Sequence, residues 1–243
     1  MFNLIKYDWI RKWIYAIGGL VVIVFLNIGV YFKEYAPSEQ IGSLIGLNML
    51  LLFISSVVLF ILHVRKMNKL LFTEEGQFTF LTPLNGYEIL GANLIGALAD
   101  IIMLLLVFGT ILFVNINFND MNIVNEAVSY IHVTGLDIYD LILTMLLMGF
   151  SGYSMLLITI FLSMILVKTL FYNIKAKKIL SFIVFIFVSK FNSMIVGMLN
   201  DTNLIPENVG SEVLIISMIK VLVVVLLWYG ISGYLLEKKV SAW

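Results

Sequence analysis

The chain has 243 residues, of which 61% are hydrophobic and 12% are charged, and its 15 basic residues balance its 15 acidic residues. Soluble domains usually carry about 25% charged residues, so this composition is typical of a membrane protein. The zero net charge excludes the global basic field of a nucleic-acid-binding protein, and the lack of cysteine excludes a disulfide framework and a thiolate metal site.

The first predicted element is an N-terminal interfacial helix over residues 1–13. Phe2, Ile5, Trp9 and Trp13 recur at steps of three and four, which places them on one face of a helix. A helix of this kind lies in the membrane plane with its tryptophans at the depth of the lipid headgroups. The alternative is that these residues only form the charged flank of the first span.

Six apolar runs follow, and each predicts a transmembrane helix, because about 20 apolar residues are enough to cross the hydrocarbon core. The spans are predicted at about 14–32, 41–63, 90–114, 138–167, 179–199 and 213–235. The fourth run is longer than one crossing needs and is expected to tilt or to project into the cytoplasm. We therefore predict an all-α polytopic membrane protein with a single transmembrane domain, 1–243.

The basic residues predict the orientation of these spans, because cytoplasmic connections are enriched in lysine and arginine. Twelve of the 15 basic residues precede the first span or follow the second, fourth and sixth spans. They are Lys6, Arg11, Lys12, Arg65, Lys66, Lys69, Lys168, Lys175, Lys177, Lys178, Lys238 and Lys239. The pattern predicts a multi-pass protein of the cell membrane with both termini in the cytoplasm.

The longest cytoplasmic connection, 64–89, carries the signals of an ordered segment. Pro83 interrupts the preceding structure, and Asn85 is a good N-cap for the next helix. Glu88, three residues later, is placed to accept a hydrogen bond from the Asn85 amide, as in a capping box. A solvated loop with ordinary helix caps is the alternative reading of these local signals.

This connection resembles the cytoplasmic segment between the second and third helices of the permeases of ABC type-2 exporters. In that family an acidic-glycine element precedes a Leu-Pro turn and a helix start. The matching residues here are Glu74, Glu75, Gly76, Leu81, Pro83, Glu88, Ile89 and Leu90. The elbow helix, the six spans and the tail 234–239 are similar as well. The chain departs from the family pattern after the proline and at Asn93, where the family often has a lysine.

The resemblance implies a transmembrane permease subunit whose segment 64–89 forms a coupling helix on a separate ABC ATP-binding subunit. The coupling residues would be Glu74, Glu75, Gly76, Phe78, Leu81, Pro83 and Glu88. The chain contains no G-x-x-x-x-G-K-[ST] motif, so we expect no enzyme activity of its own and expect ATP and Mg to be bound by the partner subunit. A second permease subunit, in a homodimer or heterodimer, would complete the pathway within the membrane lipid.

Polar residues inside the spans are candidates for the substrate pathway, because ionisable groups in lipid are costly and are usually functional. The candidates are Asp100, Lys190, Asn192 and Ser193. Two structural alternatives remain open: an Asp100–Lys190 ion pair, and a fifth span that breaks near Ser189 and re-enters the membrane.

A cluster of small residues in the fourth span has two readings. Gly149, Ser151, Gly152 and Ser154 would allow close helix packing, or would line a pore. We expect close packing.

Two other classes of protein compete with the permease interpretation. An intramembrane hydrolase needs clustered ligands or an acid–base pair, yet His63 and His132 fall on opposite sides of the membrane in the predicted topology. A stand-alone secondary carrier or an accessory membrane protein is the stronger alternative, although the inverted repeats typical of carriers are not evident. For a permease, the apolar spans favour an amphipathic peptide, a lantibiotic, a lipid or a hydrophobic drug as cargo.

Overall fold

A computed structural model describes residues 38–73, 84–118, 138–171, 176–199 and 211–240, together with Lys6, Val21 and Gly76. Within these ranges the chain forms helices α1 (Ser38–Phe72), α2 (Gly86–Phe118), α3 (Ile138–Leu170), α4 (Lys177–Leu199) and α5 (Ser211–Leu235), and a π-helical turn, Leu236–Val240. The described residues contain no strand. The all-α prediction is therefore confirmed for this part of the chain.

Each of the five helices contains a stretch that is long and apolar enough to cross a membrane. These stretches are Gly46–Phe72, Gly86–Val107, Leu146–Leu170, Ile179–Met198 and Ile215–Lys238. Runs rich in valine and isoleucine are helical here, as expected where lipid requires each segment to pair its own backbone groups. The features are those of a membrane-embedded protein. The predicted interfacial helix and first span, 1–32, lie outside the described residues, except that Lys6 and Val21 are helical and exposed.

The connection between α1 and α2 is shorter than the predicted 64–89. Helix α1 continues to Phe72 and α2 already begins at Gly86, which leaves residues 73–85 between them. The prediction placed the end of the span at its last apolar stretch. The helix continues because leucine, methionine, lysine and arginine are strong helix formers, and Lys69 in the last turn complements the negative end of the helix dipole.

The end of α1 is closed by local contacts. The backbone N–H of Thr73 donates to the carbonyl of Lys69 at 3.1 Å, and the Thr73 hydroxyl donates to the same carbonyl at 2.6 Å. The N–H of Gly76 then donates to the carbonyl of Thr73 at 3.2 Å. Gly76 is buried, and a Cβ at this position would collide with the carbonyl of Leu70. Only glycine therefore fits at this position beside the backbone of Leu70.

The chain divides into two compact units, one formed by Met1, His63–Leu94 and Val128–Trp243, and the other by Phe2–Leu62 and Ile95–Ala127. In the first unit α3 packs against α4 and α5, and the π-helical turn packs against α3 and α5. The most deeply buried large side chains of this unit are concentrated on α3 and include Leu157, Ile158, Phe161, Leu162 and Ile165. Helix α3 is thus the core of the first unit.

Candidate functional site

A cavity of about 490 Å³ lies among α3, α4 and α5 in the first unit. One stripe of each helix lines it, at the spacing of three and four residues that defines a helix face. Its polar lining residues are Ser151, Thr159, Ser189, Asn192, Ser193 and Ser217. The remaining lining residues are Gly152 and methionine, leucine, valine and phenylalanine side chains. This size and this mixture of apolar walls with a few polar groups are typical of small-molecule sites, which occupy about 300–1,000 Å³.

Asn192 connects the three helices by hydrogen bonds at the wall of this cavity. Its amide nitrogen Nδ2 donates to Thr159 Oγ1 on α3 at 2.7 Å, and its oxygen Oδ1 accepts from Trp228 Nε1 on α5 at 2.6 Å. The Thr159 hydroxyl in turn donates to the carbonyl of Met155 at 2.6 Å. Asn192 is 5% exposed and Thr159 is buried as well, whereas Trp228 is half-buried. A buried polar side chain in a membrane helix needs such partners, because no water satisfies it.

The structure brings together two of the four predicted pathway residues. Asn192 and Ser193 both line the cavity. Lys190 lies on the same helix and is exposed. Asp100 is buried on α2 and belongs to the second unit, so its pairing with Lys190 remains a prediction. Helix α4 runs without interruption from Lys177 to Leu199, which excludes the alternative of a break near Ser189.

The small-residue cluster of the predicted fourth span is divided between packing and the cavity. Ser154 is buried, and its hydroxyl donates to the carbonyl of Ser151 at 3.0 Å within α3. Ser151 is also buried, and it lines the cavity together with the exposed Gly152. Close packing therefore accounts for Ser154, while Ser151 and Gly152 contribute to the cavity wall. Gly149 is exposed and neither lines the cavity nor approaches another element among the described residues.

A second cluster fixes the start of α2 to the end of α5, and we call it the Gly86 junction: Gly86, Tyr87, Tyr229, Gly233 and Glu237. The Tyr229 hydroxyl donates to the carbonyl of Tyr87 at 2.8 Å, and the two rings meet edge to face at 6.2 Å. A Cβ on Gly86 would lie 2.6 Å from the backbone nitrogen of Glu237. A Cβ on Gly233 would collide with the Tyr87 ring. The two helices therefore touch through their backbones.

The predicted coupling residues fall into two groups. Glu74, Glu75, Phe78, Leu81 and Pro83 lie outside the described residues. Of the two that are described, Gly76 is buried at the end of α1, and Glu88 is half-buried in the first turn of α2. Their proposed contact with a partner subunit remains a prediction.

The cap predicted at the start of α2 is present. Glu88 Oε2 accepts a hydrogen bond from the backbone N–H of Asn85 at 3.1 Å, and the N–H of Ile89 donates to the carbonyl of Asn85 at 3.1 Å. The carboxylate also stands at the positive end of the helix dipole. The helix therefore begins where the sequence predicted.

We expect the Glu88→Ala variant to unfold more easily than the wild type, by about 1 kcal/mol, because it loses both the bond to Asn85 and the charge at the helix start. Thermal unfolding in detergent, followed by circular dichroism, measures the change. Glu88→Gln is the matched control, since it keeps an acceptor oxygen and loses only the charge. Its stability should lie between those of the wild type and Glu88→Ala. Equal stability of all three proteins would contradict the assignment of the cap.

Several residues of these two clusters were not among the predicted site residues. Thr159 and Trp228 meet Asn192 across 33 and 36 positions of the chain, and Tyr229 meets Tyr87 across 142 positions. No local pattern connects positions so far apart. The available signal was polarity, since Thr159 and the indole N–H of Trp228 are polar groups that a membrane helix must satisfy.

The described residues contain no group of three or more histidine, cysteine, aspartate or glutamate side chains that could hold a metal ion. The chemistry available at the cavity is hydrogen bonding by hydroxyl and amide groups within apolar walls. Comparison with protein-family models, curated proteins and solved structures finds no match to this chain.

Proposed function

We propose that the chain is the membrane-spanning permease subunit of an ATP-driven exporter. In this proposal six spans and an N-terminal interfacial helix surround the substrate pathway, and both termini face the cytoplasm. Residues 73–85, between α1 and α2, contact a separate ATP-binding subunit that binds ATP and Mg. A second permease subunit completes the pathway. The cargo is an amphipathic peptide, a lantibiotic, a lipid or a hydrophobic drug.

The observation that carries this proposal is the Gly86 junction. The segment 73–85 leads directly into a capped helix whose first residues, Gly86 and Tyr87, rest on the backbone and side chains of α5. A displacement of this segment would therefore be transmitted to α5, because the cap holds the segment to the first turn of α2 and Gly86 is in direct contact with the backbone of α5. A passive connection between two spans needs no such attachment.

The same helix leads from the junction to the cavity. Trp228 precedes Tyr229 on α5 and donates its indole N–H to Asn192 at the cavity wall. Rotation or translation of α5 would move both residues together, because a helix transmits displacement along its axis. ATP-driven closure of two nucleotide-binding subunits would thus change the shape of the cavity through residues 73–85, the Gly86 junction and Trp228.

The test is co-purification from native membranes with a tag on this chain alone. The proposal expects a polypeptide with a phosphate-binding G-x-x-x-x-G-K-[ST] loop to co-elute. Reversing the charge with the double variant Glu74→Lys and Glu75→Lys should reduce its recovery at least about tenfold, because truncating or reversing a paired interface charge costs several kcal/mol. The matched control is Asp120→Lys with Glu126→Lys in the connection between α2 and α3, which the predicted topology places outside the cell, and it should leave recovery unchanged.

Two results would overturn the proposal. In one, no ATP-binding polypeptide co-elutes with the wild-type chain. In the other, transport by the purified chain in liposomes proceeds without ATP and follows an ion gradient, which would identify a secondary carrier.

A further inference from the structure

Lys190 occupies an unusual position for a charged residue in a membrane helix. It lies about 20 Å from one end of α4 and about 14 Å from the other, at a rise of about 1.5 Å per residue. It is exposed in the chain, and the exposed positions around it are occupied by large apolar side chains such as Ile186, Phe187 and Met194. A lysine that faces hydrocarbon at this depth is costly, so its ammonium group needs an anionic or aqueous surrounding.

The neighbours of Lys190 place it beside the mouth of the cavity. Ser189 precedes it directly and Ser193 follows one turn later, and both of these serines line the cavity while remaining exposed. On α3 the exposed lining residues are Met148, Gly152 and Leu156. None of the described lining residues of α5 is exposed. The cavity therefore opens between α3 and α4. Lys190 does not itself line the cavity, but it is exposed about 60° around the helix from Ser193, the lining residue one turn further along α4.

The interior of the cavity has a different character from its mouth. Met155, Val196, Met218 and Val221 supply apolar walls, and none of the described lining residues carries a charge. Asn192, Thr159 and Ser151 are the buried hydrogen-bonding groups among the described lining residues. An apolar chain fits the interior, and serine hydroxyls and a lysine ammonium at the mouth fit an oxyanion, because charge-assisted hydrogen bonds are the strongest that these groups form.

We propose that this cavity binds a long-chain amphipath with a single anionic head, a carboxylate or a phosphate. The apolar chain occupies the cavity among α3, α4 and α5, and the head lies at the mouth against Lys190 with Ser189 and Ser193. The inference rests on the proposed function in that it assigns the substrate class of the same pathway. The binding itself requires no ATP-binding subunit.

Binding of radiolabelled oleate to the purified protein in a neutral detergent tests the proposal, with oleyl phosphate and oleyl alcohol as competitors. The two anionic amphipaths should bind at least about tenfold more tightly than the alcohol, since a hydrogen bond to a charged group contributes about 1.5–3 kcal/mol. Lys190→Met should remove this preference and Lys190→Arg should retain it. Lys69→Met, which removes an exposed charge near the end of α1, is the control and should bind oleate as the wild type does.

The outcomes distinguish a phospholipid from a free fatty acid as the source of the head group. They also distinguish failure of the binding inference from failure of the permease proposal. Preference for oleyl phosphate over oleate points to a phospholipid, and the reverse points to a free fatty acid. Equal binding of oleate and the alcohol, or an equal loss in Lys190→Met and Lys69→Met, overturns the anionic-amphipath inference. Failure of this test with an ATP-binding subunit still co-purifying would leave the permease proposal intact. If oleate binds but no ATP-binding polypeptide co-purifies with the chain from native membranes, the binding site stands and the exporter proposal is overturned.

Discussion

The Gly86→Ala variant is expected to be less stable than the wild type by about 3 kcal/mol, near the upper end of the usual cost of overpacking. The added methyl group would lie 2.6 Å from the backbone nitrogen of Glu237 and 2.8 Å from the carbonyl oxygen of Gly233. Neither atom can rotate away as the end of a side chain could. For a chain of this size the change corresponds to roughly a 10 °C decrease in the melting temperature measured in detergent.

Glycines with free space beside them provide the controls for this prediction. At Gly96 on α2 and Gly230 on α5, an added methyl group would meet no atom of another element within 4 Å among the residues that the structure describes. Gly96→Ala and Gly230→Ala should therefore be neutral or slightly stabilising, because alanine favours a helix by about 0.5–1 kcal/mol over glycine. If the Gly86→Ala variant has the same melting temperature as these two controls, α2 and α5 do not meet at Gly86.

Gly233 offers a double-mutant test of the same junction. A methyl group there would meet the ring of Tyr87, a side chain that can be truncated. Gly233→Ala and Tyr87→Ala should each destabilise the protein. The double variant should lose less stability than the sum of the two, because Tyr87→Ala removes the ring that the new methyl group would strike. Strict additivity would contradict the contact between these two positions.

The second large effect is expected from Asn192→Leu. This change removes the donor to Thr159 and the acceptor for Trp228, so two interhelical hydrogen bonds are lost together. Such bonds in membrane proteins are worth about 0.6–2 kcal/mol each, which gives an expected loss of about 1–4 kcal/mol. The loss should exceed the stability gained by placing leucine in an apolar site, because the half-buried indole N–H of Trp228 is left without its acceptor.

Two further variants isolate this network. Trp228→Phe removes one of the two bonds, so combining it with Asn192→Leu should cost less than the sum of the single changes. Ser163→Ala is the matched control, since the buried Ser163 hydroxyl donates to the carbonyl of Ile160 within its own helix. Ser163→Ala should lower the free energy of unfolding by much less than Asn192→Leu does. Unfolding in detergent measures all four proteins, and an Asn192→Leu variant as stable as Ser163→Ala would contradict the network.

The helices and one cap were predictable from the sequence because their causes are local. Six apolar runs are long enough to cross a bilayer, and five of them lie in helices of the described residues. Asn85 and Glu88, three positions apart, predicted the bond that begins α2. The predicted end of the span, residue 63, lies nine residues before the observed end of α1 at Phe72. The residues after His63 are less apolar, but they still favour a helix.

The cavity wall and the Gly86 junction were predictable only in part. Polarity within an apolar helix selected Asn192 and Ser193, and both line the cavity. Their partners Thr159 and Trp228 depend on how α3 and α5 pack against α4, which no spacing along the chain encodes. The Gly86 junction depends in the same way on the meeting of two glycines far apart in sequence. Glycine residues in helices signal close approach, but they do not identify the element that approaches.

Site-specific cross-linking from position 75 tests most directly whether residues 73–85 bind a separate ATP-binding subunit, as we propose. The chain has no cysteine, so Glu75→Cys introduces the single attachment site for a short thiol-directed photo-cross-linker. Asp137→Cys, in the predicted external connection before α3, is the matched control. We expect an adduct between the Glu75→Cys chain and a polypeptide that binds labelled ATP, and no adduct from Asp137→Cys. An adduct from both positions, or from neither, would contradict it.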